Sequence, residues 1–213
     1  MINISVLDFK SCDILPQKIP EHQTCIIARI AASNDENSRR EKLVSYSFLL
    51  YSYKKIYGEE PPKLVFSEAG KPSFFDGEIR VSLSHTDGFC AVAFAKRDVG
   101  VDIETEERLE KNSRAIARFV NESVQKPLTS AKKAKASLEM YVLENGEFHP
   151  HQEKKLSPGE EDTSHLWCAL EAVLKCKEGF KSYPHLSALC SGAEIFTATL
   201  GGGVIVSAAE MKD

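Results

Sequence analysis

Near the middle of the chain runs the stretch FCAVAFAKRDVGVDIE, residues 89–104. It contains two short apolar segments, residues 89–95 and 99–103, which are separated by charged residues. Short segments rich in valine, isoleucine and phenylalanine that are bounded by polar residues are typical of β-strands. The stretch therefore predicts two neighbouring strands of a small sheet.

Toward the N-terminus the sequence predicts one long helix among further short strands. Residues 38–41 have the form of a capping box, and apolar residues then recur at helical spacing until Gly58. Apolar or alternating patterns predict strands at residues 2–7, 24–31, 63–66 and 79–83. This half of the chain is thus predicted to be a helix with a small sheet.

Toward the C-terminus a second set of elements follows, without a clear internal repeat of sequence. The patterns predict helices at residues 106–120 and 164–177, hairpins at 137–149 and 194–208, and loops at 126–135 and 149–162. We therefore expect an α+β fold of two lobes, residues 1–105 and 106–213, which join near residues 104–106.

The composition of the chain excludes several classes of protein. Its 213 residues carry a formal net charge of -4, whereas general nucleic-acid binders need a basic surface. No apolar stretch reaches the roughly 18 residues of a membrane span, and the first residues lack the pattern of a signal peptide. Six scattered cysteines without a C-x-x-C pair indicate reduced thiols. We expect a cytoplasmic protein that binds neither nucleic acid nor membrane.

Asp102 and Glu104 are the first candidates for chemistry. Because side chains alternate along a strand, their carboxylates should point to one side while Ile103 points to the other. Two carboxylates on one face can hold a divalent cation. The alternative is a strand end whose acids face water or pair with a lysine, and the D-x-E pattern by itself favours that alternative.

A third carboxylate, Glu171, lies on the predicted helix 164–177, one turn before Lys175. On its own this spacing is most simply a surface ion pair, worth about 0.3 to 0.5 kcal/mol. We also considered Ser84 and His85, which lie where a strand runs into a turn and could bind a phosphate, and Lys71 between Gly70 and Pro72. A lone histidine in a turn is more commonly just solvated. Serine hydrolysis does not suit this pair, because adjacent residues of a strand point apart.

In this order the motifs resemble those of the 4′-phosphopantetheinyl transferase superfamily, in particular its larger, two-lobed, surfactin-synthetase-activating type. The motifs are GKP at 70–72, VSLSHT at 81–86, VGVDIE at 99–104 and WCALEAVLK at 167–175. The G-V-D-I-E element after an S-H turn, joined to a W-x-x-x-E helix, is specific. The resemblance implies two lobes related by a pseudo-twofold axis, each a small, mostly antiparallel sheet with packed helices, and an active-site cleft between them.

The resemblance also implies an activity. Family members move the 4′-phosphopantetheine arm of coenzyme A to a serine of an apo acyl or peptidyl carrier protein and release 3′,5′-ADP. The reaction depends on Mg²⁺ and serves fatty acid, polyketide or nonribosomal peptide biosynthesis. By this resemblance the protein would be an enzyme, and we expect a monomer.

Carried onto this chain, the resemblance assigns a role to each candidate residue. Asp102, Glu104 and Glu171 would bind magnesium, Glu171 would also act as the general base, and Lys175 would face the pyrophosphate. The nucleotide phosphates would be held by Ser84, His85, Lys71 and an arginine at the start of the first helix, Arg40 more than Arg39.

One position departs from the family pattern. A lysine usually precedes the helix glutamate, and Leu170 stands there in this chain. Without this lysine, the bound phosphates would lack a charged hydrogen bond worth roughly 1.5 to 3 kcal/mol. Leu170 therefore leaves open the alternative that the protein is a catalytically weakened family member, which binds coenzyme A or a carrier protein as a scaffold. A third possibility is another metal-dependent phosphoester enzyme.

Overall fold

The computed structural model describes residues 1–12, 15–16, 19–120, 122–151, 157–158, 162–177 and 186–212. Its helices are α1 (Thr24–Ala31), α2 (Glu36–Tyr57), α3 (Glu106–Lys111), α4 (Ser113–Phe119), α5 (Glu122–Thr129), α6 (Thr163–Cys176) and α7 (Leu186–Ser191). Its strands are β1 (Ile2–Asp8), β2 (Leu64–Phe66), β3 (Pro72–Phe74), β4 (Arg80–Thr86), β5 (Phe89–Ala95), β6 (Val99–Thr105), β7 (Lys132–Lys133), β8 (Ala136–Glu144), β9 (Glu147–His151), β10 (Ser157–Pro158), β11 (Ala193–Leu200) and β12 (Val204–Met211).

The strands form two larger sheets and a separate pair, β2 with β3. The first sheet has the order β4-β5-β1-β8-β9 and is antiparallel except between β1 and β8. The second sheet has the order β10-β11-β12-β6, with β7 parallel to β11. Each large sheet takes strands from both sides of residue 105, because β8 and β9 join the first sheet and β6 joins the second. Mostly antiparallel sheets with packed helices confirm the α+β class.

Apolar side chains form one core between the two sheets and a further core where helices cover each sheet. On β1, Ile4 and Val6 face the core between the sheets, whereas Leu7 packs in the core with α2. On β6, Val101 and Ile103 likewise face the core between the sheets. Because side chains alternate along a strand, Asp102 and Glu104 point to the opposite face of β6, where α6 packs. The predicted separation of the two acids from Ile103 is confirmed.

The long helix α2 begins earlier than its capping-box pattern indicates. Asp35 is the N-cap, and its Oδ1 accepts the main-chain N–H of Ser38 at 2.8 Å. A carboxylate in this position satisfies an N–H group that the helix itself cannot pair. The predicted end at Gly58 is confirmed, and this glycine has a φ of 75° that closes the helix in the left-handed region.

Residues 24–31 form helix α1, so the predicted strand is wrong. Ile26 is fully buried and Ile30 is partly buried against the same core, while Ile27 is 42% exposed. A buried stripe with a spacing of four residues is a helical pattern. The side chain of Gln23 secures the start of α1, donating to the carbonyl oxygen of Pro62 at 3.0 Å.

Other boundaries also differ from the sequence prediction. The helix predicted at 106–120 is two helices, separated at Asn112, whose amide donates to the carbonyl oxygen of Arg108 at 2.9 Å. The predicted loops at 126–135 and 149–162 contain the end of α5, β7, the end of β9 and β10, and part of the second loop lies outside the described residues. Both predicted hairpins are confirmed as β8 with β9 and β11 with β12.

Two features expected from composition can be checked on the fold. All six cysteines carry free thiols. Among the helices in the described parts of the chain, none has both the length and the apolar character that crossing a membrane requires.

Candidate functional site

Helix α6 lies directly against β6 because Gly100 has no side chain. A Cβ atom at Gly100 would stand 1.9 Å from the carbonyl oxygen of Ala172 and 2.8 Å from the main-chain nitrogen of Cys176. No other residue could occupy this position without moving the helix. The close packing brings the side of α6 that carries Lys175 to the carboxylate of Asp102.

Asp102 lies at the centre of the site and is only 3% exposed. Its Oδ1 accepts hydrogen bonds from Lys175 Nζ at 2.5 Å and from Ser84 Oγ at 3.0 Å. Its Oδ2 is buried, and no hydrogen-bond donor in the described part of the chain reaches it. The nearby thiol of Cys168 donates instead to the carbonyl oxygen of Ile205 at 3.6 Å. A buried carboxylate oxygen without a donor is unfavourable, and a bound cation would relieve that penalty.

Two further carboxylates lie within electrostatic range of Asp102. Burial and then the negative charge of Asp102 raise the pKa of Glu104, and the same two causes raise the pKa of Glu171. The nearby cation Lys175 opposes the shift of Glu171. A carboxyl group whose pKa rises toward neutrality is better suited to accept a proton from a substrate. The ion pair expected between Glu171 and Lys175 is replaced by the pair of Lys175 with Asp102.

A row of hydroxyl groups on β4 joins the first sheet to the second. β4 and β6 are edge strands of different sheets, and alternate residues of β4 reach across to β6. Ser82 Oγ accepts the N–H of Val101 at 3.1 Å, Ser84 Oγ donates to Asp102, and Thr86 Oγ1 donates to Glu104 Oε2 at 3.1 Å. The site therefore lies at the junction of the two sheets.

Arg108 belongs to this site, although no pattern in the sequence indicated it. Its Nη1 donates to Thr86 Oγ1 at 2.9 Å, and its Nε lies 3.6 Å from Glu104 Oε2. Arg108 also lines a cleft of about 630 Å³ together with Lys10 and Lys111. The spacing of four residues between Glu104 and Arg108 is visible in the sequence, but β6 ends between them, so the helical spacing rule did not apply.

His85 follows Ser84 at the end of β4 and is 45% exposed. Its Nδ1 lies 3.9 Å from Glu41 Oε2. Partial desolvation lowers the pKa of His85, Glu41 opposes this shift, and the positive charges of Lys175 and Arg108 add to it. At neutral pH the ring is therefore uncharged and can offer an anion one N–H group but no fixed positive charge.

Lys71 and Arg40, the other two residues assigned to phosphates, have main-chain partners. Lys71 Nζ donates to the carbonyl oxygen of Cys176, at the end of α6, at 2.7 Å. The guanidinium of Arg40 donates to the carbonyl oxygen of Cys12. Within the described ranges, no hydrogen bond or ion pair joins Arg40 to the three carboxylates. The structure thus brings Lys71 to the helix of the site and ties Arg40 to the segment that follows β1.

Leu170 does not face the site. Its side chain is 1% exposed and packs in the core between α6 and the second sheet. A lysine at this position would be buried among apolar side chains instead of facing a phosphate. Leucine at position 170 is therefore explained by core packing, and the expected loss of an active-site cation does not follow from it.

The residues present fit a divalent cation in part. No group of three or more histidine, cysteine, aspartate or glutamate side chains in the described residues is arranged to hold a metal ion as the structure stands. Lys175 is the nearest cation to Asp102, and its ammonium group uses one carboxylate oxygen. The other oxygen of Asp102 is buried and without a donor, and Glu104 and Glu171 are close enough to feel its charge. Hard carboxylate oxygens of this kind suit magnesium, which keeps several of its waters.

Neither a scan against protein-family models nor a search of curated proteins finds a match for this chain. The family resemblance therefore rests on the motifs themselves. Three of these motifs, which contain Ser84, Asp102 and Lys175, meet within hydrogen-bonding distance although they are far apart along the chain.

Proposed function

We propose that the protein is a 4′-phosphopantetheinyl transferase. It moves the phosphopantetheine arm of coenzyme A to a serine of an acyl or peptidyl carrier protein, with magnesium, and releases 3′,5′-ADP. The observation that carries the proposal is the contact of Lys175 Nζ with both Asp102 Oδ1, at 2.5 Å, and Ser84 Oγ, at 2.9 Å. This contact joins the three most specific motifs of the resemblance into one charged site.

Each step of this reaction has a matching group in the chain. Attack by an alcohol on a pyrophosphate needs a base for the hydroxyl proton and positive charge around the phosphate oxygens. Glu171, whose pKa is raised by burial and by Asp102, would accept the proton of the carrier serine. Magnesium held by Asp102, Glu104 and Glu171 would supply charge neutralisation on the phosphates. His85, near the end of β4, and Lys71, whose ammonium group lies beside the end of α6, would orient the nucleotide.

The scaffold alternative has lost its support from sequence. It rested on Leu170 alone, and Leu170 belongs to the core. Two further carboxylates and a lysine around the buried Asp102 favour an enzyme over a protein that only binds. Free thiols at all six cysteines agree with the cytoplasm as the place of action, where carrier proteins of fatty acid, polyketide or nonribosomal peptide synthesis are modified.

Intact-mass measurement of an apo carrier protein tests the proposal. The carrier is incubated with the protein, coenzyme A and Mg²⁺, with an EDTA control and a control without coenzyme A. We expect a mass gain of about 340 Da that EDTA abolishes, because the phosphates must be neutralised for transfer. Release of one 3′,5′-ADP for each carrier modified excludes simple hydrolysis of coenzyme A, which would release 3′,5′-ADP without modifying the carrier. No mass gain across a panel of carriers, despite measurable coenzyme A binding, would contradict the proposal.

A further inference from the structure

Two parallel chains of hydrogen bonds run from a cation, through a hydroxyl group of β4, to a carboxylate of β6. In the first, Lys175 donates to Ser84 Oγ at 2.9 Å and Ser84 donates to Asp102 at 3.0 Å. In the second, Arg108 donates to Thr86 Oγ1 at 2.9 Å and Thr86 donates to Glu104 at 3.1 Å. The two hydroxyls are two residues apart on β4, and the two carboxylates are two residues apart on β6.

The direction of each hydrogen bond in these two series follows from the groups that take part. Lysine and arginine side chains can only donate hydrogen bonds, and an ionised carboxylate can only accept them. Each hydroxyl has one proton, so each must accept from its cation and give its proton to its carboxylate. The single proton of each hydroxyl is thus given to a carboxylate and is not available to a phosphate.

Burial keeps both hydroxyls away from solvent. Ser84 is 7% exposed and Thr86 is 3% exposed, whereas His85 between them is open. A phosphate could therefore approach His85 far more easily than Ser84. On Asp102, the bonds from Ser84 and Lys175 both end on Oδ1 and leave the buried Oδ2 without a donor.

We propose that Ser84 and Thr86 are positioning residues, which orient Asp102 and Glu104 for a divalent cation, and that Ser84 is not a phosphate ligand. The inference rests on the proposed function for the presence of the cation. Partners that fix the orientation of metal-binding side chains typically change metal affinity by about 10- to 100-fold. Lys175 and Arg108 in turn fix the two hydroxyls.

Ser82 provides a matched control on the same strand. Its hydroxyl also bridges β4 and β6, and it is 3% exposed, but its partner is the N–H of Val101 and not a carboxylate. If the row of hydroxyls served only to join the sheets, Ser82→Ala would have the same effect as Ser84→Ala. The two changes remove the same atom from equally buried positions.

The test measures Mg²⁺ and Mn²⁺ binding by calorimetry, without coenzyme A or carrier, for the wild type, S84A, T86V, S82A and S84T. We expect metal binding to weaken about 10- to 100-fold in S84A and T86V, to stay within about twofold in S82A, and to recover in S84T, which retains the hydroxyl. Circular dichroism verifies that each variant is folded. Binding of 3′,5′-ADP in EDTA is measured in parallel and should be equal in the wild type and S84A.

Three results would overturn the inference. Equal weakening of metal binding in S82A and S84A would mean that the hydroxyls only join the sheets. Loss of 3′,5′-ADP binding in S84A, with metal affinity unchanged, would make Ser84 a phosphate ligand. A wild type that binds no divalent cation would overturn both this inference and the proposed function. If the wild type and the variants bind metal with the expected affinities but no phosphopantetheine is transferred to any carrier, only the proposed function would be contradicted.

Discussion

Replacement of Gly100 by alanine should push α6 off β6 and separate Lys175 from Asp102. The added Cβ would stand 1.9 Å from the carbonyl oxygen of Ala172, whereas an ordinary carbon–oxygen contact is about 3.3 Å or longer. The helix must therefore retreat by more than about 1 Å, because the clashing atoms are backbone and cannot rotate away. Overpacking of this kind costs about 1 to 3 kcal/mol, and the backbone clash places Gly100→Ala near the upper end.

For a protein of this size, about 3 kcal/mol corresponds to a fall in Tm of roughly 6 to 12 °C. A displacement of about 1 Å at reacting groups can also lower a rate by about 100-fold. We would measure Tm by circular dichroism and transfer by intact mass, beside Gly192→Ala. That control Cβ would lie 3.4 Å from the flexible end of Met211 and 3.5 and 3.7 Å from the carbonyl oxygens of Leu189 and Ala188, which are ordinary contacts, so it should change neither quantity. A Gly100→Ala protein with the Tm and transfer rate of the wild type would refute the close approach of α6 to β6.

Three further predictions concern the same part of the fold. Asp102→Asn should weaken magnesium binding by more than about 100-fold and abolish transfer. The variant should still unfold near the wild-type temperature, because Lys175 is 32% exposed and can turn to water. Unchanged metal affinity in calorimetry would argue against the site. Leu170→Lys should lower the free energy of unfolding in urea by about 3 to 5 kcal/mol, because it buries a charge without a partner. Leu174→Lys, at a partly exposed position, should lower it less. A stable, more active Leu170→Lys protein would contradict the buried position. Although desolvation opposes the shift, hydrogen bonds from the main chain and ring of His165 lower the pKa of Asp162 below its ordinary value of 3.8. A group whose pKa is lowered in the folded protein stabilises the fold at pH values above its ordinary pKa, and this effect is lost as the pH falls through its pKa in the folded state. The difference in unfolding free energy between the wild type and Asp162→Asn should therefore be present at neutral pH and vanish in acid. A difference that does not depend on pH would disprove this linkage.

Local rules were enough for part of the site and for part of the surrounding fold. Alternation along a strand predicted that Asp102 and Glu104 share a face opposite Ile103, and the core between the sheets confirms it. The hairpin predicted at residues 137–149, with Asn145-Gly146 as its turn, is formed by β8 and β9. These features depend on residues that are close in sequence, so the sequence alone contains them.

Elements judged by local propensity alone were less reliable. The run at residues 24–31 is rich in isoleucine and was predicted to be a strand, yet it forms α1. On its helical stripe, Ile26 is fully buried and Ile30 partly buried against the core that includes α2. Propensity differs by only about 1 kcal/mol between such states, and burial of two large side chains outweighs it.

The sequence by itself determined the α+β class and the residue types of the site, because strand alternation, helical spacing and charge are local properties. Only the tertiary structure decided which groups meet. Lys175 pairs with Asp102 and not with Glu171, Leu170 points into the core, and the hydroxyls of β4 reach the carboxylates of β6. These contacts depend on how closely α6 packs on β6 and how two sheet edges meet, and a packing distance between remote elements is set by all the side chains between them.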